Sequence, residues 1–242
     1  RRQRQMCIRD RIISNQAFRV GGAIALNNTE ESHFSWSTSE LHITGHVKVK
    51  NNSAAKHGGG IFSLGSARLN FSNVVFEQNS ASSGDGGLMY VGDKGEVKLF
   101  STIAASNSAS NRGGMVFLSG SSKFECGDST IVSNNASAGG VFYTLDLGTS
   151  TTITNSNIFR NQALKSSGGV LFVSAFSEAI FRNNNISYNS ANTTGGAIYG
   201  DEEARISILS SVIDQNEVKL SKGGGVYACL LYTSPSPRDT NP

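Results

Sequence analysis

Asn79-Ser80-Ala81, then Gly86-Gly87 and the apolar Leu88-Met89-Tyr90-Val91, returns as Asn107-Ser108-Ala109, Gly113-Gly114 and Met115-Val116-Phe117-Leu118. The recurrence decides the fold, because the same features extend along nearly the whole chain. Counting the first glycine of each pair, the pairs stand at Gly21, Gly59, Gly86, Gly113, Gly139, Gly168, Gly195 and Gly224. The six gaps from Gly59 to Gly224 cover 165 residues, a mean of 27.5. The first gap is 38 residues, which places an insertion of about ten residues near Asn27 to Glu40, read as a loop on the side of a repeat structure.

Each pair is preceded by an asparagine, at Asn15, Asn52, Asn79, Asn107, Asn134, Asn161, Asn189 and Asn216. Two positions after it stands a small residue, with Asn134-Asn135-Ala136 and Asn216-Glu217-Val218 as variants. Three positions before it stands Ile12, Val49, Phe76, Ala104, Ile131, Ile158, Ile186 or Ile213. Between these markers the apolar residues follow the period of two expected of strands. A short strand follows each glycine pair, and a turn leads into a second strand. Its inward residues are read as Leu69 and Phe71, Val97 and Leu99, Phe124 and Cys126, Ile153, Ile180, and Ile206 and Ile208, with Arg68, Lys98 and Glu125 facing water. A third strand carries the apolar residue and ends at the asparagine. The pattern predicts an all-β, right-handed parallel β-helix, a solenoid over residues 12–228 with about eight coils of about 27 residues and three short strands per coil. Coils spaced about 4.8 Å apart would give a rod about 35 to 40 Å long. In that fold the asparagines form an amide ladder at a turn, and the glycines permit positive φ or close backbone approach. No Gly-Lys-Ser or Gly-Lys-Thr accompanies a glycine pair, which disfavours a phosphate-cradling loop.

The ends read differently. Residues 1–11 are basic and lack the apolar core of a secretory signal, and residues 229–242 break the repeat and hold Pro235, Pro237 and Pro242. Both segments resemble translated sequencing-adaptor sequence and are set aside as non-native. The chain has 21 basic and 18 acidic residues. Without the ends, 15 basic and 16 acidic residues remain, so a net charge of +3 becomes −1 and the case for a nucleic-acid partner disappears. Of three cysteines only Cys126 is left, which excludes a disulfide framework and a cysteine metal cluster. No apolar run is long enough to span a bilayer.

Gly21-Gly22-Ala23-Ile24 and Gly195-Gly196-Ala197-Ile198, together with Phe76-Glu77-Gln78-Asn79, resemble the GGA[ILV] and FxxN repeats of the chlamydial polymorphic outer membrane proteins. Similar repeats occur in surface proteins of protists and algae. The resemblance covers all eight coils in rhythm, although only two match GGAI strictly and one has Phe in FxxN. It implies a β-helical surface adhesin, extracellular or attached to a cell surface, with neighbouring domains in a longer chain.

Candidate sites are few. Polysaccharide lyases and hydrolases on this fold use clustered acids, often with calcium. Here Glu30, Glu31, Asp93, Asp146 and Asp201-Glu202-Glu203 fall mostly in turns, so neither a catalytic nor a metal site is assigned. His33, His42, His46 and His57 lie near the insertion; a His-x-x-x-His pair such as His42 and His46 outside a helix is a weak metal motif, and an exposed loop is the reading adopted. No cofactor is expected. The fourth position from each first glycine reads Ala25, Ser63, Tyr90, Phe117, Tyr143, Phe172 and Tyr199. If it faces outward, Tyr90, Phe117, Tyr143, Phe172 and Tyr199 form an aromatic stripe suited to a glycan or protein surface; both faces of the strand are apolar, and an interior stack is the reading adopted. Sequons at Asn27, Asn51, Asn70, Asn135, Asn185 and Asn192 suit a secretory route. The expected function is a non-enzymatic surface or secreted rod acting as adhesin, spacer or interaction platform. The alternative is a carbohydrate-active enzyme with a lateral groove.

Overall fold

The computed structural model describes residues 10–28 and 39–228, the side chains of residues 27 and 28 excepted. Both set-aside ends, apart from Asp10 and Arg11, lie outside the described residues, as do Glu30, Glu31, His33 and most of the insertion. The rest is an all-β parallel solenoid in three sheets. Two sheets hold eight strands each, so the chain makes seven full returns between the first and the last.

A middle coil shows how the sequence dictates the path. Val116–Leu118 follows the glycine pair, Lys123–Gly127 follows a turn, Thr130–Val132 leads to the asparagine, and Asn135–Ala136 closes the coil. The second and third strands both belong to the large 13-stranded sheet. In two early coils they fuse into Glu40–Lys50 and Arg68–Glu77. Along Arg68–Glu77, Leu69, Phe71, Val74 and Phe76 point inward, and the period of two restarts after Asn73, whose φ of 57° bends the strand. A coil thus has four strand segments where three are expected. The extra one is the dipeptide after the asparagine, too short to display a period.

Each strand pairs with its equivalent one coil away, so Val97 lies between Leu69 and Phe124, and Leu99 between Phe71 and Cys126. The resulting core is one continuous column. It includes all the expected third-strand residues, fully buried from Val49 to Ile186 and partly buried at Ile12 and Ile213. One inward assignment is corrected: Ala179 and Phe181 are fully buried and Ile180 faces outward. The register places Phe181 beside Ile153 and Ile208, and that pairing fixes the direction of its neighbours.

Beside the asparagine turn, small residues let two walls meet. A Cβ on Gly87 would lie 2.2 Å from the carbonyl oxygen of Gly114 and 2.4 Å from that of Ser108, one of the dipeptide residues. The preceding Gly86 has φ of +68°, where L side chains are strained. The buried alanines of the dipeptides, such as Ala81, Ala109 and Ala136, pack in the same narrow region. In the two Gly-Gly-Gly stretches the positive-φ residues are Gly58 and Gly223, so Gly59 and Gly224 occupy the second, close-approach position and the expected register there is one residue late.

Candidate interaction face

The strand after the glycines presents Val116 and Leu118 to the core, so Phe117 between them projects outward. The same alternation holds for Tyr90, Tyr143, Phe172 and Tyr199, which corrects the expected interior stack. Correcting the glycine register also replaces Ser63, which is fully buried, with Phe62, and adds Tyr227. Seven successive coils therefore carry a ring at this position, with Ala25 in the first.

The rings stack on one another. Centroid separations run from 4.6 Å for Tyr143 and Phe172 to 5.7 Å for Phe117 and Tyr143 and for Tyr199 and Tyr227. Interplanar angles are 2° to 19° except at Phe172 and Tyr199, where the angle is 43°. The coil spacing sets this distance, close to the optimum for offset stacking. Ring faces are therefore used by neighbouring rings. What the column offers to a partner is a strip of ring edges and phenol oxygens, half-buried along its length, with Phe117 covered to 3% exposure.

The cover over Phe117 comes from the residues just before the glycine pairs. Arg112 grips Asp85 with two hydrogen bonds of 2.9 Å, and its guanidinium carbon lies 4.6 Å from the Phe117 centroid and 5.2 Å from that of Tyr143. This combines a bidentate ion pair with cation–π contact. The hydrogen bond to Asp85 raises the Arg112 pKa. His57 packs on Tyr90 with centroids 5.0 Å apart, and its Nδ1 accepts the Asp85 backbone N–H at 3.3 Å. Burial lowers the His57 pKa against the opposing pull of Asp85. Burial likewise raises Tyr90 and Tyr143, so both phenols stay neutral near pH 7. The sequence reading missed this clamp. Its signal is His57, Asp85 and Arg112, a histidine, an acid and a base standing just before the positive-φ glycine in three successive coils.

The asparagines are arranged differently. Asn134 Oδ1 accepts from Asn107 N–H at 2.9 Å and from Asn107 Nδ2 at 3.0 Å. In turn, Asn134 donates from N–H and Nδ2 to Asn161 Oδ1, and from Nδ2 to the Ala104 carbonyl. The pattern repeats from Asn15 through Asn52, Asn79, Asn107, Asn161 and Asn189 to Asn216. A second ladder, missed in the sequence, runs at the bend between second and third strands through Thr102, Ser129, Ser156, Asn184 and Ser211. Its signal is a hydroxyl or amide residue five positions before each asparagine from Asn107 to Asn216.

The remaining candidates are dispersed. Asp93, Asp146, Glu202 and Glu203 occupy left-handed turn positions. Asp146 Oδ2 accepts the Gly120 N–H at 3.0 Å, and Glu202 Oε2 accepts the Ser174 hydroxyl at 3.1 Å. Exposed His42 lies 3.5 Å from Glu40, and that hydrogen bond lowers the Glu40 pKa. Among the described residues no three His, Cys, Asp or Glu side chains are placed to hold a metal ion, and no helix is long and apolar enough to cross a membrane. Cys126 is an interior residue whose thiol burial pushes up to about 11. A polar concavity of about 360 Å³ follows the asparagine corner, lined by Asn135, Arg160, Gln162, Tyr188 and Glu217. Comparison with protein-family models, curated proteins and solved structures finds no match to this chain.

Proposed function

We propose that this chain is a non-enzymatic rod of a secreted or cell-surface protein, acting as a spacer and presenting its aromatic sheet as an interaction platform. The observation that carries the reading is the outward column of rings from Phe62 to Tyr227. An apolar strip is costly to leave in water, and here it is repeated in coil after coil. Because ring faces are already stacked, the strip suits a flat protein surface, or a glycan approached edge-on and bound through the phenol hydroxyls. The resemblance to the chlamydial surface repeats supports an adhesin role and a surface location, and the sequons support a secretory route.

The concavity beside Arg160, Tyr188 and Glu217 is the observation that favours the second reading, a carbohydrate-active enzyme. It offers one carboxylate, where glycoside hydrolysis ordinarily uses a facing pair. A panel of immobilised and soluble glycans, assayed for both binding and depolymerisation, separates the two. Binding that Tyr143→Thr weakens, with no chain cleavage, is the expected result. Cleavage of any glycan, with or without a metal ion, overturns the non-enzymatic reading.

A further inference from the structure

We infer that Asn51, Asn70, Asn135, Asn185 and Asn192 are N-glycan acceptors, and that this carbohydrate leaves the ring-bearing strands of the aromatic sheet bare. The inference rests on the secreted reading above.

An N-glycan requires Asn-x-Ser or Asn-x-Thr on a surface that can accommodate a bulky polar group. This chain is rich in asparagine, so the distribution of the acceptors is what matters. The ladder asparagines cannot be modified, because the residue two positions on is an alanine facing inward, as with Asn134 and Ala136, or Val218 after Asn216. Modification there would also break the amide bonds that join the coils. The five acceptors are instead outward neighbours of buried residues. Asn51 immediately precedes ladder residue Asn52, at φ of 55° and exposed. Asn70 projects from between inward Leu69 and Phe71, and exposed Asn185 from beside inward Ile186. Asn135 is the outward member of its dipeptide, opposite buried Ala136. Among the described residues the side-chain amides of Asn51, Asn70, Asn135 and Asn185 have no hydrogen-bond partner, and that of Asn192 has only a long one, 3.4 Å to the Lys165 carbonyl. Attachment therefore sacrifices almost nothing in the fold.

These acceptors lie on the large sheet, at the asparagine corner and just after the dipeptide strand. The sixth sequon, Asn27, stands on Ile24–Asn28, the first strand of the aromatic sheet, which carries Ala25 in place of a ring; the ring-bearing strands, from Ile61–Gly65 through Val226–Ala228, contain none. Attached glycans, each wider than one coil, would shield the other sides from association. The strip of rings is the face left open to a partner.

The test is to secrete the full chain from cultured eukaryotic cells behind a cleavable leader. It is then treated with peptide N-glycosidase in heavy-oxygen water and its peptides are mapped by mass spectrometry. The expected result is conversion to labelled Asp at those five asparagines. Absence of label on them in secreted, folded protein overturns the proposal. Hydroxyl-radical footprinting before and after enzyme treatment tests the bare face. Tyr188, which shares the corner concavity with Asn135, becomes more reactive, and Tyr143 does not change. Glycan-dependent protection of Tyr143 counts against the open face. The same material assayed for binding keeps the two readings apart, since occupied sequons without binding remove the platform and leave the glycan map standing.

Discussion

Two columns of side chains run the length of the rod, one residue per coil, and they do opposite work. The asparagine column sits inside a corner, with Asn52 through Asn189 at 0% exposure. Its bonds are directional, and its donors and acceptors are taken up by the neighbouring coil or nearby carbonyls. The aromatic column lies outside, is held by non-directional stacking, and accepts Phe, Tyr or Ala25 at the same register. A column that uses all its valences fixes register and has nothing left for a ligand. One that leaves its edges free can serve a partner without the fold depending on its identity.

Breaking the first column has the largest expected effect. Asn134→Leu removes the acceptor of the Asn107 N–H and of one Asn107 Nδ2 hydrogen, and a donor to the Ala104 carbonyl, each loss at a buried group worth about 1–3 kcal/mol. Equilibrium unfolding in urea is expected to show a loss of roughly 3–5 kcal/mol on that scale. Next comes the pinch that brings the dipeptide wall to the glycines. Gly87→Ala forces a methyl into two backbone carbonyls, at 2.2 and 2.4 Å, neither of which can rotate away. A drop of about 3 kcal/mol is expected from such overpacking, read from the same titration.

The corner itself contains strain that can be relieved. Tyr188 precedes a ladder asparagine at φ of 56°, a left-handed position that Asn occupies more readily. Tyr188→Asn is expected to raise stability by about 1 kcal/mol, seen as a higher melting temperature. The smallest effect belongs to the aromatic side. The folded pKa of His57 is depressed below the ordinary imidazole value of 6.5, so the unfolded chain binds the proton more readily. Its contribution is complete above pH 6.5 and is lost as pH falls through the folded value. Comparing stability at pH 7.5 and about pH 5, the His57→Gln chain is expected to lose less on acidification than the parent.

The two columns also differ in how far the sequence reveals them. The asparagines were legible because only one residue type meets the geometric demand. The Ser/Thr/Asn ladder was not, since Thr102, Ser129 and Asn184 satisfy the same bond with different side chains. In Gly58-Gly59-Gly60 all three residues tolerate positive φ, so spacing alone cannot say which adopts it. That one-residue ambiguity hid Phe62 and Tyr227. The direction of the rings was illegible for a separate reason: Met89, Tyr90 and Val91 are all apolar, and alternation carries no sign. Only stacking seven coils with the glycine pinch on one side decides that Tyr90 faces out.

The most direct test of this division is a chain in which Tyr143 and Phe172 both become Thr, a residue suited to strands. Its far-UV circular dichroism and urea unfolding are measured beside those of Asn134→Leu. An unchanged spectrum, a cooperative transition, and a smaller loss of stability than the single asparagine substitution causes are expected. A collapse of the β spectrum, or a loss equal to or greater than that of Asn134→Leu, would show instead that the outer rings hold the rod together.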